Sequence, residues 1–190
     1  MNPIAKNRSL CLLGYRGVGK SSLCVCYVEG MFIDSYDPTI ENVFYKNIKL
    51  KGTQYNLKIV DTAGQDEYSI FPHAYAMDIH GYCLVYSINN AKSFEVARII
   101  YDKLLDMTGN IQVPIILVAN KADLHLERCI STEMGLELAK YMKAQYIELS
   151  AKENSAVNNL FQTLLFNIDK QDAPEAAPSS QENNKKCIIS

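Results

Sequence analysis

Gly14-Tyr15-Arg16-Gly17-Val18-Gly19-Lys20-Ser21 fits the pattern G-x-x-x-x-G-K-[ST], and its neighbours fix how it is read. It follows Ser9 to Leu13, a short and mostly apolar run readable as a buried strand, and it opens residues 20–29, which read as a helix. The glycines let backbone N–H groups curl around phosphate oxygens, and the helix N-terminus adds partial positive charge. Lys20 is then placed to reach the β- and γ-phosphates, and the Ser21 hydroxyl to ligate Mg²⁺. Arg16, Gly17, Val18 and Gly19, with Lys20, Ser21 and the following Ser22, are the phosphate-side candidates. An ordinary Gly-rich turn is the plainer alternative. The motif points to a nucleoside triphosphate and is silent about which one.

Outward from this loop, strand-like and helix-like periods alternate. Val43 to Leu50 and Gln54 to Val60 are strand candidates around Lys51-Gly52-Thr53, a hairpin signal. Tyr55, Leu57 and Ile59 share one face of the second. Tyr82 to Ile88 and Val113 to Ala119 are further strands, the latter apolar apart from Pro114, as a strand covered on both faces tends to be. Residues 91–107 and 132–143 carry helical spacing, and Tyr146 to Leu149 reads as a last short strand. Val157, Leu160, Phe161, Leu164, Leu165 and Ile168 recur at i, i+3, i+4 and i+7, which predicts an amphipathic helix. The alternation implies one α/β domain built on a parallel sheet, with the early hairpin adding an antiparallel strand at an edge. From about Lys170 the composition turns to Gln, Asp, Ala, Pro, Ser, Glu and Asn, which cannot bury enough apolar area to order itself.

The bulk properties agree with this. A chain of 190 residues suits one domain and a short tail, and 48% hydrophobic against 21% charged residues supports a sizeable core. A net charge of −2 gives no basic field, so nucleic-acid binding is not expected. The six cysteines form no CxxC pair and mostly sit in apolar runs, as reduced thiols of a cytosolic protein do. His73, His80 and His125 are scattered and imply no metal cluster. The start of the chain lacks a signal-peptide apolar core, Asn2 stands where myristoylation needs Gly, and no apolar run approaches the roughly 20 residues that span a bilayer.

Three further stretches complete a nucleotide site. Asp61-Thr62-Ala63-Gly64 ends the second hairpin strand, where a carboxylate beside the phosphate loop holds a metal through water. Gly64 then supplies an amide toward the γ-phosphate, and Gln65 is placed to orient the attacking water. Asn120-Lys121-Ala122-Asp123 follows a long apolar strand, where ligands bind in open α/β sheets. The Asp123 carboxylate suits the N1–H and 2-amino donors of guanine; adenine lacks that pair and would leave a buried acceptor unpaired. Ser150-Ala151-Lys152 offers a backbone N–H to the guanine O6. Together these stretches select guanine.

Taken in order, the five motifs resemble the Ras superfamily over about residues 8–168 and at the C-terminus. Gly14-Tyr15-Arg16, Ser35-Tyr36-Asp37-Pro38-Thr39-Ile40-Glu41-Asn42, the stretch from Asp61 through Pro72 and Lys103-Leu104-Leu105-Asp106-Met107 look like its Rheb branch. The resemblance implies the three-layer α/β domain of P-loop NTPases over residues 1–169, with a six-stranded, mostly parallel sheet, one antiparallel edge strand and about five helices. Residues 170–190 would be a flexible tail. It implies a monomeric GTP/GDP switch with two switch loops, at about residues 33–42 and 63–79. Thr39 would ligate Mg²⁺ and sense the γ-phosphate, Tyr36 would cover the phosphates, and Phe32 would pack edgewise on the base. The expected effector is the TOR kinase complex, and the expected activating protein is of the tuberin type and supplies an Asn.

Arg16 departs from the Gly that most Ras relatives carry there. Its head is expected in solvent, but its Cβ and stem occupy space near Gln65, which implies slow intrinsic hydrolysis. Gly17 where Rheb proteins usually have Ser, and Ala119 where relatives commonly have Gly, are small replacements without functional weight.

Cys187-Ile188-Ile189-Ser190 is a C-a-a-X box whose final Ser favours farnesyl. Lys185 and Lys186 are the only basic residues just upstream, so one prenyl chain gives reversible anchoring and the expected place is the cytosolic face of internal membranes. Two other functions are compatible with the phosphate motif alone. A binding module locked with GTP is favoured by Arg16 and opposed by Gln65; a P-loop nucleotide kinase would need an Arg-rich lid that the chain lacks.

Overall fold

The computed structural model describes residues 5–33, 40–69, 77–109 and 113–172. Strand β1, Lys6–Gly14, is the axis of the sheet, and Leu10 to Leu13 within it are fully buried. Leu10 and Leu12 face one core, Cys11 and Leu13 the other. A strand with helices over both faces has no polar side to show, which is why this run reads as continuously apolar.

Helix α1, Lys20–Glu29, leaves the end of β1 through the Gly-rich loop. The chain then forms the hairpin of β2, Glu41–Leu50, and β3, Thr53–Thr62. Its two-residue turn, Lys51 and Gly52, has φ of 48° and 86°. That is the left-handed pair which matches the twist of the flanking strands. In β3, Tyr55, Leu57 and Ile59 are buried on one face, as the alternation predicts. Strands β4 (Gly81–Ser87), β5 (Ile115–Asn120) and β6 (Gln145–Glu148) complete a six-stranded sheet in the order β2-β3-β1-β4-β5-β6. Among the described strands only the β2–β3 pair is antiparallel, and β2 lies at the edge. The order turns back at β1, so a crevice opens beyond its carboxyl end, where the phosphate motif lies.

Helices α2 (Ala91–Thr108) and α3 (Thr132–Tyr141) cover one face, and α1 and α4 (Asn154–Asp172) the other. The Asn90 and Ser131 side chains cap α2 and α3, accepting from the N–H groups of Ser93 and Met134 at 3.0 and 3.3 Å. Tyr27 stacks on Phe161, ring centroids 4.0 Å apart, joining α1 to α4. The helix expected over 132–143 ends at Tyr141, because Lys143 turns to a φ of 52°. A 3₁₀ helix over Ala122–Glu127, bent at Leu124, buries no residue and so has no apolar period in the sequence to mark it. The described helices therefore number five, four α and one 3₁₀. Helix α4 continues past Lys170, where the composition shifts. Among the described residues no helix is long and apolar enough to cross a membrane.

Cys11, Cys24, Cys26 and Cys83 are buried and free, and burial raises their thiol pKa values. Cys129 is free and exposed.

Candidate functional site

The loop between β1 and α1 is shaped by its own lysine. Lys20 is only 6% exposed, and its Nζ donates to the carbonyls of Gly14 at 2.9 Å and Tyr15 at 3.0 Å. Burial lowers its pKa to about 8 against the raising influence of Asp61. The result is a cation held nearly dry by two backbone carbonyls at the floor of the loop. Gly19, just before the helix, sits at a φ of 96°, and a Cβ there would collide with the Asn120 amide nitrogen. Both the backbone angle and this close approach require glycine.

Asp61 is fully buried at the end of β3. Burial raises its pKa; the Ser21 hydroxyl and the Lys20 charge oppose that. Ser21 lies close enough to stabilise the carboxylate, yet neither Asp61 oxygen makes a hydrogen bond of ordinary geometry. A buried carboxylate so lightly partnered, beside a hydroxyl, fits a hydrated divalent cation. Among the described residues no three His, Cys, Asp or Glu side chains cluster, so such a cation would draw other ligands from hydroxyl, water and phosphate.

Behind the loop, Gln65 forms an isolated parallel bridge with Tyr15, its N–H donating to the Gly14 carbonyl at 3.1 Å. Its side chain is 5% exposed, and neither amide atom has a partner within the described chain. Gly64 lies against Arg16. A Cβ at position 64 would stand 2.5 Å from both Cα and Cβ of Arg16. Arg16 itself is exposed, its guanidinium 5.5 Å from the centre of the Tyr15 ring.

The other end of the crevice is tied to the loop through Asn120. Its Nδ2 donates to the Val18 carbonyl at 2.8 Å, and its Oδ1 accepts from the Ala151 N–H at 3.0 Å. Both bonds are buried. Asp123 accepts from the Ser150 hydroxyl at 2.7 Å and pairs with Lys152 Nζ at 2.8 Å. Burial works to raise the Asp123 pKa, but these two partners outweigh it and the carboxyl is lowered. The Lys152 ammonium lies 5.9 Å from the centre of the Phe32 ring.

These residues surround one cavity of about 370 Å³. Arg16, Gly17, Gly19, Lys20, Ser21 and Ser22 line its loop end, with Gly64 at the rim. Phe32, Asn120, Lys121 and Asp123 line the far end, with Ser150, Ala151 and Lys152 beside them. Val18 contributes its carbonyl to Asn120 while its side chain enters the core. Val25, Ile33 and Leu124 add apolar wall that no motif marked. Tyr36 and Thr39 lie outside the described residues, as does Cys187.

A cavity with the Lys20 cation at one end and the Asp123 carboxylate at the other can take an anion and a hydrogen-bond-donating ring at once. The model of the Ras family matches residues 9–170. The chain is 55% identical over 170 residues to GTP-binding protein Rheb of Homo sapiens, covering 90% of this chain and 92% of that protein. It is 52% identical over 185 residues to the Rheb homolog of Drosophila melanogaster, covering 97% and 98%. GTP-binding protein rhb1 of Schizosaccharomyces pombe is 49% identical over 189 residues, the full length of both chains. The chain therefore belongs to the Ras family of small GTPases, within its Rheb branch.

Proposed function

We propose that the cavity holds GTP or GDP with Mg²⁺, and that the chain is a signalling switch whose off-step is slow. The observation that carries this reading is the pair of hydrogen bonds made by the Asn120 side chain, which joins the phosphate loop at Val18 to the base loop at Ala151. It sets the two halves of a nucleotide site at a fixed separation.

Each residue has a role in that reading. The amides from Arg16 to Ser22 and the Lys20 ammonium would bind the phosphates. Lys121 and Phe32 would flank the base, with the Ala151 N–H toward O6 and Asp123 toward N1–H and the 2-amino group. Mg²⁺ would be held by Ser21 and Thr39, and by Asp61 through water, and it supplies charge neutralisation at the β- and γ-phosphates when bound. Gly64 and Gln65 would meet the γ-phosphate and the attacking water, with Tyr36 over the phosphates. The buried Gln65 amide supports slow hydrolysis, since an amide with no exposed surface does not touch a water. Release of the γ-phosphate frees both switch loops, which is how the nucleotide state reaches a partner.

The partners follow from likeness to the Rheb proteins: the TOR kinase complex as effector, and a tuberin-type activating protein that supplies an Asn. A farnesyl on Cys187 would hold the monomer reversibly on the cytosolic face of internal membranes.

Nucleotide preference tests the base end. Wild type is expected to bind GDP far more tightly than ADP or XDP. Asp123→Asn, which adds a donor for a 2-oxo group, should shift the preference toward XDP. An unaltered preference would remove Asp123 from the site.

A further inference from the structure

Helix α2 holds the stretch after Gln65 at two points. Lys103 Nζ donates to the backbone carbonyls of Glu67 at 2.9 Å and Ser69 at 2.8 Å. Lys92 Nζ lies 3.0 Å from Glu67 Oε1. The stretch is also closed on itself, because Asp66 accepts from the Tyr68 N–H at 3.0 Å and from the Ser69 hydroxyl at 2.7 Å. Such a turn moves as one piece. Whatever fixes its carbonyls therefore fixes the chain from Gln65 to Ser69.

The two fasteners differ in strength. Bonds from an ammonium to carbonyls are charge-assisted, and Lys103 is half-buried, so solvent screens them less. The Lys92–Glu67 pair is largely open to water and contributes little. Upstream, the Gln65 N–H is fixed to Gly14. Between these fixed points the Gln65 side chain is buried with both amide atoms unpartnered. A dry, unpaired amide does not hold itself in place. Its neighbours must do so.

We propose that Lys103 is a positioning residue for hydrolysis: by holding the Glu67 and Ser69 carbonyls against α2, it keeps the Gln65 side chain buried and slows the off-step. Lys103 is not among the residues lining the cavity, so it acts through Gln65 and not on the nucleotide. The proposal rests on Gln65 being the residue that orients the attacking water.

The test is single-turnover hydrolysis of prebound GTP by the full chain, with hydrogen exchange of the 66–69 amides read in parallel. Lys103→Met is expected to raise the rate roughly fivefold to tenfold, the scale of losing one net hydrogen bond, and to speed exchange at Tyr68 and Ser69. Lys103→Arg keeps donors in reach and should stay near wild type. Lys103→Gln keeps one neutral donor and should fall between them, which covers a poorly folding Met variant. Lys103→Met combined with Gln65→Leu should return to the wild-type rate. Faster exchange with an unchanged or lower rate overturns the positioning role. A rate gain with unchanged exchange overturns the clamp. An acceleration that survives Gln65→Leu overturns the route through Gln65, and with it the catalytic reading of that residue.

Discussion

Gly64 and Arg16 meet with no room for a methyl group between them: a Cβ on residue 64 would lie 2.5 Å from both Cα and Cβ of Arg16. Two loops from different strands, one after β1 and one after β3, thus touch where the γ-phosphate is proposed to sit. Part of this contact is backbone, which no change at position 16 removes. Part of it is the Arg16 Cβ.

Gly64→Ala must therefore push one loop away. Single-turnover hydrolysis should fall about tenfold or more, since small misplacements at a reacting centre have large effects. Arg16→Gly removes only the Cβ and stem and should raise the rate about threefold to tenfold. Rapid-quench assays on prebound GTP check both. An unchanged rate in Arg16→Gly rejects the view that this arginine hinders Gln65.

Asn120→Ala strips buried partners from the Val18 carbonyl and the Ala151 N–H together. Each orphaned group costs about 1–3 kcal/mol, so nucleotide-free protein should lose ~3 kcal/mol in urea unfolding. Release of a labelled guanine nucleotide should also accelerate. Wild-type stability in the variant would show that the strut is not what joins the two halves.

The base loop has a pH-sensitive brace. Glu148, at the end of β6, binds the Arg128 guanidinium at two points and accepts from the Tyr146 and Thr132 hydroxyls at 2.9 and 3.2 Å. Arg128 is the largest influence lowering the Glu148 pKa in the fold. A carboxyl lowered on folding contributes stability that is present above its unfolded pKa and lost as pH falls through the folded one. Glu148→Gln should thus reduce stability by about 1–2 kcal/mol at neutral pH. The difference should vanish on acidification below the usual carboxylate range. Urea titrations of both proteins from neutral to acid pH check this, and a gap that persists in acid assigns the effect to packing instead.

Much of this fold is legible because its determinants are local. Gly19-Lys20 specifies a loop and a helix start, and Lys51-Gly52 specifies a two-residue turn through φ alone. The apolar face of α4 reads directly from Val157 to Ile168. Less legible are features that depend on distant chain. Asn120 sits in a recognisable string, but its bonds to Val18 and Ala151 depend on two other loops arriving beside it. The Lys103 contacts with Glu67 and Ser69 join a helix to a loop by backbone carbonyls, which leave no mark in the side-chain pattern. The 3₁₀ helix at Ala122–Glu127 is short and buries no residue, so hydrophobic period could not reveal it.

The central claim is a guanine-nucleotide site whose off-step is slow because Gln65 is kept from the attacking water. Its most direct test is to extract the nucleotide that copurifies with the full chain, then follow prebound GTP to GDP in a single turnover with Mg²⁺. The account predicts a guanine nucleotide in the extract and a slow conversion that Arg16→Gly and Lys103→Met each accelerate. An adenine nucleotide, or fast conversion by the wild-type chain, would contradict it.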